Sequence, residues 1–180
     1  MKKNVIQLSR PLVVASFLLL GVTGNAQQNK GLTDPEVASV AVTANQIDIE
    51  FAKIAFQHSR NPEVLNFAKT MTNDHNAVIN QAVALVTKLK VTPQTNSLTR
   101  QLLADAEKTK KKLQSAKGAG FDKVYIGNEV AYHRSVISAI ETVLIPQAEN
   151  AELKSFLQAV VPALKTHLSH AEMVEKMLNK

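Results

Sequence analysis

Five ionisable side chains fall where a helical protein normally places aliphatic ones. At helical spacing, Asp48 lies on the stripe of Ala44, Phe51 and Ala55. His75 lies in the series Met71, Val78, Ala82. Glu129 and His133 are four residues apart and share one inward face, and His167 faces in beside Leu164 and Leu168. Three imidazoles and a carboxylate are a tetrahedral zinc ligand set, and the same donors suit iron, manganese or copper with positions left open. Asp48, His75, His133 and His167 are therefore the candidate ligands of a divalent metal. Glu50, Asp74, Glu129 and His170 are candidates for the groups that orient an imidazole N–H. His58 also points inward, but near a helix end where water reaches it.

Long amphipathic helices must position these groups. Thr33 and Glu36 have capping-box spacing with Pro35 in the first turn, and an apolar stripe then runs from Val37 to Ala55. Asn61-Pro62 ends that helix and starts a second, which the periodicity predicts over Pro62 to Lys90. After Thr92-Pro93 a shorter helix is expected from about Ser97 to Lys117, stopped by Gly118-Ala119-Gly120. A fourth is expected from about Phe121 to Ile145, and a fifth from Ala151 to the end, kinked at Pro162. The first and second helices, and the fourth and fifth, are joined by very short turns, so each pair should be an antiparallel hairpin. The Lys-rich third helix should cross between them. The expected fold is all-α, four long antiparallel helices plus a connecting helix.

Depth along these helices brings the candidates together. Counted from the Asn61 end, Asp48, His75, His133 and His167 each lie about 12 to 14 residues down, roughly 18 to 21 Å at 1.5 Å per residue. Four helices thus offer one potential ligand each at one level.

Composition removes several chemistries. There is no cysteine, so disulfides, thiolate nucleophiles, iron–sulfur clusters and a lipid-modified N-terminal cysteine are excluded. No G-x-S-x-G, H-E-x-x-H or Gly-rich phosphate loop occurs. The first 26 residues carry Lys2, Lys3 and Arg10, an apolar run from Leu12 to Val22, and Gly24 and Ala26 two apart, the order of a secretory signal cleaved after Ala26. Residues 27–33 read as a disordered lead and 34–180 as the folded domain. Removing the signal lowers the formal charge from +6 to +3. With no Trp and two Tyr, nucleic-acid binding is not expected, and no transmembrane span is expected in the mature chain. An exported protein, periplasmic or secreted and associated with the cell envelope, fits these features.

The stretches IDIEFAKIAFQHSRNPEVLNFAKTMTNDH, FDKVYIGNEVAYH and LKSFLQAVVPALKTHL together resemble an exported bacterial family, domain of unknown function 4142, often labelled an outer-membrane protein. The likeness runs from about Asp34 to Met173. It rests on the Asp-His pair, FD-x-x-Y-[IL], and L-P-x-L-x-x-H-L, which here reads V-P-A-L-K-T-H-L. The resemblance implies a ferritin-like helical bundle. It matches Asp74, His75, His133 and His167 to the family's polar positions and puts Asp48 where relatives commonly carry Glu. The family implies no activity, and its outer-membrane label sits poorly with a chain that shows no barrel strands. The di-iron pattern of ferritin-like proteins needs two E-x-x-H motifs and two further Glu. Here the nearest spacings are Glu129-x-x-x-His133 and His167-x-x-His170, which favours one metal ion, or none, over a pair.

Two other readings follow from the same residues. The buried groups are a polar layer that sets helix register, in a non-enzymatic envelope protein acting through its surface, for instance the Lys108 to Lys112 face. A redox or oxygen enzyme is the third, and the missing E-x-x-H motifs weigh against it.

Overall fold

The computed structural model describes residues 31–180. The expected signal segment and most of the expected lead lie outside the described residues. Helices account for nearly all of the rest, and no strand occurs among the described residues. They are α1 (Asp34–His58), α2 (Pro62–Lys88), α3 (Ser97–Ser115), α4 (Gly118–Ala139), a π-helical turn (Ile140–Leu144), α5 (Ile145–Gln147) and α6 (Ala151–Leu178).

Side-chain caps define the ends. The Glu36 carboxylate accepts from the Thr33 N–H, the backbone half of a capping box, and also from the Thr33 hydroxyl, both at 2.9 Å. Asn61 caps α2 by accepting from Glu63 N, Asn96 caps α3 through Thr99 N, and Asn150 caps α6 through Glu152 N and Leu153 N. α6 passes through Pro162 without interruption. The Gly118-Ala119-Gly120 stretch differs from expectation. It forms the first turn of α4 rather than a tail on α3, because Gly118 takes a left-handed backbone (φ 55°) that reverses the chain immediately before the helix.

Contacts between the ends set the directions. Ser59, in the α1–α2 turn, donates to Asp122 at the start of α4 at 2.6 Å. At the opposite end Asp34, opening α1, accepts from the Glu149 and Asn150 N–H groups before α6 at 2.9 and 3.0 Å. Asn96, before α3, donates to the Glu36 carbonyl at that same end. Hence α1, α3 and α6 run one way, and α2 and α4 the other. α1 packs on α2, α4 on α6, α1 on α4, and α2 on α6, while α3 lies along α1.

The apolar interior has two parts. One, near the α1–α2 turn, gathers Phe51, Phe67, Met71, Leu113, Phe121 and Tyr125. The other, toward the start of α1, gathers Val37, Ile137, Ile140, Leu144, Leu157 and Leu164. Between them lies a layer of fully or almost fully buried polar groups, Asp48, His75, Glu129, His133 and His167. Phe67 closes the first part against this layer, its ring edge-on to Tyr125 and His133 at centroid distances of 6.2 and 6.4 Å. Phe67→Ala is expected to cost about 3–5 kcal/mol in denaturant-midpoint stability. Val83→Ala, at a half-exposed surface position, should be close to neutral. A loss below about 1 kcal/mol at Phe67 would contradict the packing described here.

Candidate metal centre

Each ring of the layer sits on a different helix: His75 on α2, His133 on α4 and His167 on α6. Their centroids lie 5.3 to 5.9 Å apart. One nitrogen from each ring falls within 4.8 Å of those of the other two. Asp48, on α1, enters from the remaining side and is wholly buried. Its Oδ2 is 3.1 Å from His75 Nε2 and 3.5 Å from His133 Nε2.

Hydrogen bonds outside the cluster decide where the ring protons are. Asn45 donates its amide N–H to the Ala41 carbonyl at 2.8 Å, which turns its Oδ1 toward His75 Nδ1 at 2.7 Å. An oxygen accepts, so His75 Nδ1 carries the proton. His133 Nδ1 donates to the Glu129 main-chain carbonyl at 2.9 Å. His167 Nε2 donates to the Asp74 carboxylate at 2.9 Å. A neutral imidazole has one N–H, and in all three rings it is committed outward. The atoms left facing the cluster, His75 Nε2, His133 Nε2, His167 Nδ1 and both Asp48 oxygens, have no hydrogen-bond partner. The short Asp48–His75 approach is a hydrogen-bonded ion pair when His75 carries a second proton on Nε2, and a contact between two acceptors when it does not.

The electrostatics favour the same arrangement. Burial lowers the pKa of His133 and of His167 from the ordinary 6.5, which keeps both imidazoles neutral. Burial by itself would raise Asp48, but positive charge at the imidazoles, His75 foremost, and a hydrogen bond from His75 hold its carboxyl below the ordinary 3.8, so this carboxylate depends on a cation beside it. Burial, and after it the Asp48 charge, push Glu129 well above the usual carboxylate range, so it stands beside Asp48 as a neutral acid. A proton placed on His75 Nε2 would satisfy Asp48 alone. His133 Nε2 and His167 Nδ1 would remain lone pairs buried without a donor, each costing about 1–3 kcal/mol. A divalent cation answers all four atoms at once.

The structure thus brings Asp48, His75, His133 and His167 together. Of the four groups expected around them, Asp74 orients His167 and Glu129 orients His133 through its main chain, its carboxyl lying 3.6 Å from the ring. Glu50 is turned outward and pairs with Lys110 of α3 at 2.7 Å. His170 packs edge-on against Phe67, and His58 stacks on Phe121. Asn45 is the group that sequence reasoning missed. Its place one helical turn before Asp48 on the same face was the available signal.

The family model described as "Domain of unknown function (DUF4142)" matches residues 21–174. The chain belongs to this family. No curated protein and no solved structure matches it. The match takes in every residue of the polar layer of this DUF4142 protein. Among the described residues no helix is long and apolar enough to cross a membrane.

The proton positions can be read directly. In metal-free protein, long-range nitrogen–proton NMR couplings are expected to show His133 protonated at Nδ1 and His167 at Nε2. Both should stay neutral on acidification until below the ordinary value of 6.5. Opposite tautomers would turn the lone pairs away from Asp48 and remove the case for a cation.

Proposed function

We propose that this protein is exported and that its helices form a ferritin-like bundle holding one divalent metal ion between Asp48, His75, His133 and His167. The observation that carries the reading is the convergence of one nitrogen from each of three histidines within 4.8 Å, with the buried Asp48 carboxylate 3.1 and 3.5 Å from two of the rings. The up-and-down order of the long helices and the family's placement among ferritin-like proteins support the bundle. The basic, apolar and small-residue order of the first 26 residues supports export.

The donor set is three nitrogens and a carboxylate without sulfur, which suits zinc, iron, manganese or copper. One ion is favoured over two. A di-iron centre needs two E-x-x-H motifs and two further Glu, and among the described residues Asp48 and Glu129 are the only carboxyls of the layer. Bound metal would neutralise Asp48 and use the inward lone pairs, while Asn45, the Glu129 carbonyl and Asp74 hold the rings in place.

A register-setting polar layer without metal is the competing reading, and the Asp48–His75 contact is the observation in its favour. Metal analysis separates the two. After loading with zinc, iron, manganese or copper and exhaustive dialysis, the wild type is expected to retain one equivalent. The His75→Ala, His133→Ala double variant should retain none while remaining helical. Asp74→Ala, at a half-exposed carboxylate, should weaken binding by about 10–100-fold without unfolding the chain. A wild type that stays metal-free under every loading condition would sink the proposal.

A further inference from the structure

The metal-facing atoms open on a cavity of about 510 Å³. Asp48, His75, His133 and His167 all line it, and Glu129 does not. Beyond them its walls are mainly apolar, formed by residues such as Val40, Leu98, Leu102, Val136, Leu157 and Leu164, with Asp105, Thr109 and Ser135 as polar exceptions. Most of its apolar lining belongs to the second apolar part of the interior, and Phe51, Ala106 and Tyr132 border it from the first. Protein interiors rarely leave voids of more than a water molecule, whereas ligand sites run to about 300–1,000 Å³. The lining is small where a larger side chain would fill the space, at Ala44 and Ala139. Ile140 and Leu144, the two ends of the π-helical turn, form part of the same wall. An inserted π turn is a costly departure from the α ladder and is found most often at functional sites.

The shape and charge of the space define what fits. Its ligand-bearing end is polar and the rest of its wall is mainly apolar, which fits an apolar chain with a polar head. Leu144 and Phe156 line it eleven residues from His133 and His167, which makes the cavity about 16 Å deep from the metal layer, enough for one medium-length alkyl chain. Three neutral imidazoles and the Asp48 carboxylate leave a divalent ion with one uncompensated positive charge in an apolar surrounding. An anionic head neutralises it there, where the attraction is much stronger than in water. Zinc expands to five ligands, and iron and manganese accept more than four, so an oxygen of the head can join the four protein donors.

We propose that the cavity binds a medium-chain carboxylic acid, with its alkyl chain among Val40, Leu98, Leu102, Val136 and Leu157 and its carboxylate on the metal ion. The inference rests on the metal reading given above. Asp105, exposed on α3, and Ala77, exposed on α2, also line the cavity and mark where it reaches solvent, so entry requires no unfolding.

The test uses cobalt, whose visible absorption reports its ligands. Decanoate titrated into cobalt-loaded protein is expected to shift that spectrum and to bind at least tenfold more tightly than decanol, which has the chain without the charge, or acetate, which has the head without the chain. Calorimetry should show at least tenfold weaker binding of decanoate to metal-free protein. Ala139→Phe and Val160→Trp, which fill the cavity from two different helices, should keep one cobalt per chain and lose decanoate binding at least tenfold. Retained cobalt shows that a variant is folded; should both variants misfold, the comparison of decanoate with decanol and acetate on the wild type decides. Protein that takes up cobalt but gives no decanoate response, or that binds decanoate equally with and without metal, overturns this inference alone. Protein that takes up no cobalt overturns the metal reading as well.

Discussion

A carboxylate buried among imidazole lone pairs is the constraint on which this structure turns. Asp48 is wholly buried, beside a protonated Glu129 and three imidazoles whose outward nitrogens are hydrogen-bonded to Asn45, the Glu129 carbonyl and Asp74. Taking such a charge out of water costs several kcal/mol unless something of opposite charge meets it. Each outward hydrogen bond that orients a ring removes a donor that could have served Asp48. The arrangement is unfavourable to a neutral protein and favourable to one that carries a cation, and that asymmetry distinguishes a binding site from a satisfied polar layer.

The same layer governs how the helices meet. The apolar interior is divided at the level of Asp48, so neither part can slide past the other without moving buried polar groups into hydrocarbon. The two ends are fastened separately, by Ser59 to Asp122 and by Asp34 to the turn before α6. With both ends and the middle fixed, α1, α2, α4 and α6 have one register in which all four donors share a level. An ion bound only in that register would stabilise the folded state in proportion to its affinity, offsetting the cost of burying Asp48.

Much of this was legible in the sequence because the signals are local and periodic. The apolar stripes, the Thr33–Glu36 box and the Asn61 and Asn150 caps define helices to within a few residues, and short turns force the hairpins. Counting residues from the turns then puts Asp48, His75, His133 and His167 at one depth, since helical rise is constant. What could not be read depends on direction and volume. Glu50 and His170 lie on helix flanks, where a small rotation sends one to Lys110 and the other to Phe67. Asn45 is an unremarkable amide until the Ala41 carbonyl turns its oxygen toward His75. The π turn at Ile140–Leu144 has no composition of its own, and Gly118 carries the same signal whether it ends one helix or reverses the chain into the next. A cavity leaves no periodic trace, because alanines at 44 and 139 fit an apolar stripe as well as leucines do.

The two faces of the polar layer differ, and the difference bears on what the site is for. On one face Glu129, Tyr125, Phe67 and Phe121 are closely packed, and Glu129 is the group whose protonation lets Asp48 keep its charge. On the other face the space is left open and apolar. A layer that only set register would gain nothing from this asymmetry, because filling the open side would add burial at no cost to the hydrogen bonds. A metal site intended only for structure would likewise be closed on both sides, since an open position invites exchange with solvent. Closure on one side with a cavity on the other is the arrangement expected where the ion must be held firmly by the protein and still meet a second molecule.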